Sequence, residues 1–424
     1  MTGCLNDNGV RTIRMLYNAY EIQRSWLAGW GALANMGSQW LQNPANPVGY
    51  LGGGPVLAHA LDVFSHATAP RGKPEFGLAT TIVDGKIVPV TEETVVKKPF
   101  GNLKRFVHKG IVGAPKLMIV APMSGHYATL LRGTVERLLP THDVYITDWA
   151  DARLVPTSEG KFDLDDYIDY LIEFLEHVGK EGNGERAHVL AVCQPSVPSY
   201  AAAAVMAKQN NPHRPKTLTM MGGPIDTREA PTTVNTMAMQ RPHEWFQHNV
   251  IATVPFQYAG AGRKVYPGFL QLAGFMSMNL GSHMMSHYAM FKHLVDGDGE
   301  SAEATKEFYD EYRAVCDMTA EFYLQTVDVV FQTHALPKGE FMHRGQLIDP
   351  GAIKDIGLLA VEGERDDISG IGQTKAALKI SKNLPADHKK YYLAKEVGHY
   401  GIFNGSKWRE RIAPVLEDWI RAHD

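Results

Sequence analysis

The sequence predicts an α/β fold in which a doubly wound, mostly parallel sheet carries an inserted helical cap. Two observations lead to this prediction. Short apolar runs alternate with helical segments over residues 116–221, and the same texture resumes at residue 356. Between these two regions, residues 225–350 are rich in Met, His and aromatic side chains in a mostly helical pattern. Continuous apolar strands that alternate with helices indicate a parallel sheet covered on both faces.

The individual elements follow from local patterns. An N-terminal helical segment is expected over 1–75, the first part of the core over 76–224, the cap over 225–350 and the rest of the core over 351–424. The stretch 76–110 is β-rich, with a tight hairpin at Asp84-Gly85. Asp163 is a plausible N-cap for the next long helix, and Gly179 should lie just past its end. Six core strands are predicted, at 116–120, 143–147, 188–192, 217–221, 356–361 and 389–393. Helices are predicted at 127–139, 164–178, 200–207 and 407–422.

Composition excludes several classes of protein. Of 424 residues, 44% are apolar and 21% charged, which is enough to bury a large core. A net charge of −4 does not favour nucleic-acid binding, which needs a basic face. Three cysteines in a chain of this length fit a reducing compartment better than a disulfide framework. Without a signal-like or membrane-spanning apolar run, we expect a soluble, cytoplasmic protein.

No metal or cofactor is expected. His283 and His287 have i, i+4 spacing on one helical face, but the Glu that follows the first His of a metalloprotease helix is missing. No third ligand is tied to the pair. Plain packing within the cap is therefore the simpler interpretation.

Cys193 is the predicted nucleophile. It follows the apolar strand 188–192, and a small-residue helix begins at once after it. This is the setting of a nucleophile elbow, a sharp strand-to-helix turn that lifts one side chain above the sheet. A free Cys is commonly an inert, buried residue, so it is this position that favours reactivity. The N–H of Gln194 and an N–H of Met123 or Ser124, in the loop after residues 116–120, are the expected oxyanion donors.

A base and an acid follow in the order that α/β-hydrolases use. His399 lies between glycines in the loop after the last strand, where a catalytic base is expected to fold over the elbow. Asp366, in the loop after residues 356–361, is the preferred acid, and its role would be to orient the imidazole. Asp367, Glu364 and Asp226 remain alternatives for that role.

At this point the chain resembles the intracellular poly(3-hydroxybutyrate) depolymerases of bacteria, over nearly its whole length. The resemblance rests on residues 191–195 (AVCQP), 222–226 (GGPID), 362–368 (EGERDDI) and 398–403 (GHYGIF). The chain also looks related to polyhydroxyalkanoate synthases, but Ala191 and Pro195 depart from their G-x-C-x-G elbow. An α/β-hydrolase fold follows from this resemblance.

The resemblance implies Cys193 as nucleophile, Asp366 as acid and His399 as base. It implies polyester storage granules as substrate and 3-hydroxybutyrate monomers or oligomers as products. Coenzyme A is a possible alternative acceptor for the acyl group. The rival interpretations are a synthase-like acyltransferase and a non-catalytic granule-binding protein. The Met- and aromatic-rich stretch 266–291 and the Trp-bearing N-terminal helix could each be core or contact the polymer.

Overall fold

An eight-stranded sheet forms the centre of the computed structural model, which describes residues 6–43, 45–46, 53–69, 72–182, 184–278 and 314–424. His283, His287 and the part of the Met- and aromatic-rich stretch beyond residue 278 lie outside these ranges. In chain order the strands are β1 Thr91–Val96, β2 Gly101–Val107, β3 Lys116–Val120, β4 Asp143–Trp149, β5 His188–Val192, β6 Thr217–Met221, β7 Gly357–Gly363 and β8 Lys389–Ala394.

The sheet is mostly parallel, as predicted. Its strand order is β8-β7-β6-β5-β3-β4-β2-β1. Neighbours from β8 to β4 are parallel, while β2 is antiparallel to both β4 and β1. Strands β3 to β7 are buried along their whole length, which explains their continuous apolar sequences. Their carboxyl ends share one edge, where the loops carrying Cys193, Asp366 and His399 meet.

Helices cover both faces of this sheet. They are α1 Asn6–Gln42, α2 Gly54–Thr68, α3 Arg132–Leu138, α4 Leu164–Glu181, α5 Ser196–Lys208, α6 Thr233–Gln240, α7 His243–Asn249, α8 Gly268–Met278, α9 Ala320–Thr326, α10 Ala335–Lys338, α11 Ala376–Ile380, α12 Gly405–Lys407 and α13 Ala413–Arg421. Two π-helical segments, Val327–Gln332 and Trp408–Ile412, continue α9 and α12. Elements α6 to α10 lie between β6 and β7 in the chain.

The boundaries of the four predicted helices differ from the prediction. Helix α5 begins at Ser196 rather than at residue 200, and the helix predicted over 407–422 is divided into α12, a π-helical segment and α13. Asp163 caps α4 as expected, through a capping box with Asp166. However, α4 continues past Gly179 to Glu181, where the Gly182 N–H bonds to the Val178 carbonyl at 3.2 Å. The helix predicted over 127–139 is instead a 3₁₀ turn, Ala128–Leu131, followed by the short α3.

A buried polar cluster ties α1 to the core. The Tyr17 hydroxyl donates to Asp317 Oδ2 at 2.5 Å, and the Gly268 N–H donates to Asp317 Oδ1 at 2.9 Å. Asp151 accepts from the Asp317 N–H at 3.1 Å and pairs with Arg153 at 2.7 Å. Burial, followed by the nearby charge of Asp151, raises the pKa of Asp317 to about 7.

Of the helices that the structure describes, none combines the length and apolarity needed to cross a membrane.

Candidate active site

Cys193 lies at a sharp turn between β5 and α5. Its φ of 67° is in the left-handed region, which costs a non-glycine residue about 1–2 kcal/mol. The turn is held by main-chain hydrogen bonds, from the Cys193 N–H to the Met221 carbonyl at 2.7 Å and from the Ser196 N–H to the Cys193 carbonyl at 3.0 Å. This strained strand-to-helix turn is the geometry of a nucleophile elbow.

Two glycines after β6 make room for this turn. A Cβ on Gly223 would lie 2.1 Å from Ser196 Oγ, at the start of α5. A Cβ on Gly222, whose φ is 58°, would lie 3.2 Å from both His399 Cε1 and Asp366 Oδ2. Pro195, with a φ of −58°, leads directly into α5. The close approach near the elbow is therefore provided by the neighbouring strand rather than by a glycine at position 195.

His399 and Asp366 form a buried pair beside Cys193. Nδ1 of His399 lies 2.8 Å from Asp366 Oδ2, and both side chains are almost fully buried. The second oxygen, Asp366 Oδ1, accepts from the N–H groups of Ile368 at 2.9 Å and Ser369 at 2.8 Å. Because both carboxylate oxygens are engaged, Asp366 holds the imidazole in one orientation.

The electrostatic setting of His399 favours its protonated form. Burial alone would lower its pKa, but the neighbouring Cys193 and Asp366 groups hold the pKa of His399 well above its ordinary value. Since Nδ1 faces Asp366, Nε2 is the imidazole nitrogen that remains for the thiol. Cys193, His399 and Asp366 thus lie together in the arrangement of a nucleophile, a base and an acid.

The alternative acids are engaged elsewhere. Glu364 pairs with Lys395 at 2.9 Å and accepts from the Glu396 N–H. Asp226 pairs with Arg228, both of its oxygens accepting at 2.8 Å. Asp367 is exposed to solvent. Of the four predicted acids, the structure brings only Asp366 to His399.

The loop after β3 reaches the elbow through an interaction that the sequence pattern does not show. The Met123 N–H donates to Gln194 Oε1 at 3.3 Å, so this predicted oxyanion donor is occupied by a side chain. The N–H groups of Ser124 and Gln194 make no hydrogen bond to any residue that the structure describes. Ser124 and Gln194 thus have the unoccupied donors, while all three residues line the cavity above Cys193.

This cavity has a volume of about 380 Å³ and lies between the elbow and the cap. Its walls are mostly apolar side chains from the cap. From the sequence, only the stretch 266–291 of the cap was singled out, with core packing as the alternative, because Met and aromatic residues in helices are usually core. Tyr266 and Gln271, from the Met- and aromatic-rich stretch, also line it. The remaining cap contacts include Met237, Phe246, Phe322, Tyr323 and Phe331.

Comparison with known proteins gives one family match. Residues 222–424 match a family model described as PHB de-polymerase C-terminus, where PHB is poly(3-hydroxybutyrate). No curated protein matches the chain.

Similar solved structures include a putative lipase from Sulfolobus solfataricus (12% identity, 82% of this chain and 97% of that chain, TM-score 0.47). Naproxen esterase from Bacillus subtilis matches at 13% identity over 80% of this chain and 92% of that chain, with a TM-score of 0.41. A putative lipase from Acinetobacter baumannii matches at 12% identity over 79% and 93%, with a TM-score of 0.42.

The strand order of the central sheet, the left-handed turn at Cys193 and the family match together define a carboxylic ester hydrolase with the α/β-hydrolase fold. Within that superfamily, residues 222–424, slightly less than half of the chain, match the PHB depolymerase family. This result confirms the family resemblance and the fold class inferred from sequence.

Proposed function

We propose that this chain is an intracellular depolymerase that hydrolyses the ester bonds of poly(3-hydroxybutyrate) in storage granules, with Cys193, His399 and Asp366 as its catalytic triad. The observation that carries the proposal is the hydrogen-bonded pair of His399 and Asp366 beside Cys193, beneath an apolar cavity. The match of residues 222–424 to the depolymerase family supports the choice of polymer.

The first half of the reaction transfers an acyl group to sulfur. With the thiol proton held on His399 Nε2, Cys193 Sγ attacks the carbonyl carbon of an ester bond. The resulting oxyanion is held by the N–H of Gln194 and an N–H of the 123–124 loop. Collapse breaks the carbon–oxygen bond, His399 returns its proton to the departing alkoxide, and a new hydroxyl end of the polymer is released.

The second half releases the acid. His399 takes a proton from water, whose oxygen attacks the thioester carbonyl and displaces the Cys193 sulfur, which then regains the proton. A 3-hydroxy acid or oligomer leaves. In this scheme Asp366 stays ionised and stabilises the imidazolium in both halves. A thiol such as coenzyme A could replace water as the acyl acceptor by the same route, and added thiol would then yield a thioester product.

The compartment proposed here is a reducing one. Cys193 and Cys316 are both free thiols, which supports an intracellular location, and storage granules would be the partner surface. An apolar cavity next to the nucleophile supports an uncharged polyester as substrate.

The deciding experiment compares Cys193→Ala with Cys316→Ala on amorphous poly(3-hydroxybutyrate) granules, measuring acid release. We expect the first variant to lose at least about 10³-fold in kcat and the second to keep its activity. Full activity in Cys193→Ala would contradict the nucleophile assignment.

Incubation with 3-hydroxybutyryl-CoA tests the synthase alternative, because a synthase would build polymer. A granule-coating protein would bind granules without releasing acid.

A further inference from the structure

One face of α1 is apolar and open to solvent. Ile22, Trp26, Trp30, Leu33, Met36 and Trp40 form this face, which we call the tryptophan face, and each is between 53% and 69% exposed. At about 100° per residue they fall within an arc of roughly 120°, over a helix length of roughly 27 Å. Such a continuous exposed apolar stripe is larger than a monomeric protein normally leaves in water.

The opposite side of the same helix is well packed. Tyr17, Ala34 and Leu41 are buried there, and the Ser38 hydroxyl donates to the Ala58 carbonyl of α2 at 2.9 Å. Together with the hydrogen bond from Tyr17 to Asp317, these contacts fix which side of α1 faces outward. The tryptophan face is therefore left exposed after the helix has made its contacts with the other residues that the structure describes.

The segment that forms most of the tryptophan face and α2 carries almost no formal charge. Residues 25–61 include no Asp, Glu, Lys or Arg, in a chain that is otherwise 21% charged. Helices that lie on membranes usually carry Lys and Arg on their polar side, which attract anionic lipids. A face without charge instead matches an uncharged apolar surface. Helix α2 adds exposed apolar side chains at Val56, Leu57 and Phe64.

The base of this helix is attached to the wall of the active-site cavity. Tyr20 of α1 stacks on Phe269 of α8, with ring centroids 3.9 Å apart. Gln271, two residues further along α8, lines the cavity above Cys193. Helix α1 therefore carries the tryptophan face on its outer side and contacts α8, which contributes Gln271 to the cavity wall, on its inner side.

We propose that the tryptophan face docks the enzyme onto the amorphous, uncharged surface of its polyester substrate. This inference rests on the proposed function. The partner is chosen by charge and chemistry, because a polyester surface presents methyl, methylene and ester groups and no ions. Tryptophan suits it, since the ring buries a large apolar area while its N–H can reach an ester carbonyl.

The test replaces Trp26, Trp30 and Trp40 together by Gln in the full chain. The matched control replaces Ile82, Ile87 and Phe256 by Gln, three apolar side chains that are as exposed but lie outside α1 and α2. Thermal melting shows that each variant folds. Binding is measured by co-sedimentation with protein-free amorphous granules, and catalysis is measured separately on granules and on a soluble p-nitrophenyl ester.

We expect the triple tryptophan variant to bind granules at least about tenfold more weakly and to degrade them correspondingly more slowly, with the soluble ester cleaved at the wild-type rate. The control variant should behave as wild type in all three assays. Unchanged granule binding in the tryptophan variant would overturn the proposal. Equal binding of the wild type to neutral phosphatidylcholine vesicles would assign the face to lipid.

Two further results separate this inference from the proposed function. A wild-type dimer that the tryptophan substitutions convert to a monomer, with granule binding retained, would assign the face to a second copy of the chain. Tryptophan-dependent granule binding without any acid release would leave the docking face standing while the depolymerase function fails.

Discussion

Cys193 and Cys316 have the same side chain in opposite surroundings. Cys193 lies at the end of a central strand, with a left-handed main chain and the imidazole of His399 as its neighbour. Cys316 is buried within the protein, and its thiol contacts the His126 carbonyl at 3.6 Å. Burial, together with the charges of Asp151 and Asp317, holds the pKa of Cys316 well above its ordinary value. The comparison teaches that strand position and partners, rather than residue type, make a cysteine a nucleophile.

Alkylation should separate the two thiols by the largest margin. Treated with iodoacetamide at neutral pH, native protein should be labelled at Cys193 at least about 10³-fold faster than at Cys316, because Cys316 is buried and its thiol stays protonated. Time-resolved peptide mass spectrometry gives both rates, and loss of esterase activity should follow the Cys193 rate alone. If Cys316 were alkylated at the rate at which activity is lost, the predicted difference between the two cysteines would be wrong.

The carboxylates near Cys316 should show their effect in the pH dependence of stability. The folded-state pKa of Asp317, about 7, lies above its ordinary value of 3.8, so the folded protein holds this proton more tightly than the unfolded chain does. The stabilisation is complete below about pH 4 and is lost as pH rises to about 7. Asp317→Asn should remove this pH dependence of the free energy of unfolding. Between pH 4 and pH 7, the difference in free energy of unfolding between the variant and wild type should therefore change by a few kcal/mol, at about 1.4 kcal/mol per pKa unit.

Urea unfolding of wild type and Asp317→Asn between pH 4 and pH 8 provides the measurement. Asp226→Asn, at a carboxylate paired with Arg228 on another surface, is the control and should keep the wild-type slope near pH 7. Equal slopes for wild type and Asp317→Asn would contradict the burial argument. Cys316 should stay unreactive in Asp317→Asn, since burial is the largest influence on its pKa.

The smallest expected effect concerns the main chain at Cys193. Cys193→Gly should be more stable than Cys193→Ala by about 1 kcal/mol, because glycine adopts a φ of 67° without strain. Thermal or urea unfolding of the two inactive variants gives the difference. At Cys316 the same pair should show the reverse order, since glycine there would lose packing and gain backbone freedom. A more stable Cys193→Ala would show that the turn is not strained.

Most of the fold was predictable because it depends on local patterns. The six core strands were visible as apolar runs, and Asp163 was identifiable as a cap from residue type alone. The proximity of Asp366 to His399 followed from the order of strands, since parallel strands bring their carboxyl ends together. Pro195, which looked out of place in an elbow, is compatible with it because Gly223 makes the close contact with α5.

What could not be predicted depends on contacts between distant parts of the chain. The hydrogen bond from Met123 to Gln194 joins residues 71 positions apart and follows from no spacing rule. The raised pKa of Asp317 depends first on its burial and then on Asp151, which lies beside it across two elements. Trp26 and Trp30 had a helical pattern that core packing and surface exposure would both produce, and only the packing of the opposite side distinguishes the two.

The left-handed turn at Cys193 has a consequence for laboratory selection. The proposed nucleophile is also a residue that folding alone would replace, because glycine fits its backbone better. A mutant library screened only for resistance to heat or protease should therefore accumulate Cys193→Gly, and with it a population of folded but inactive enzyme. Selection that couples survival to growth on the polyester would remove that population, since stability and turnover favour different residues at this one position.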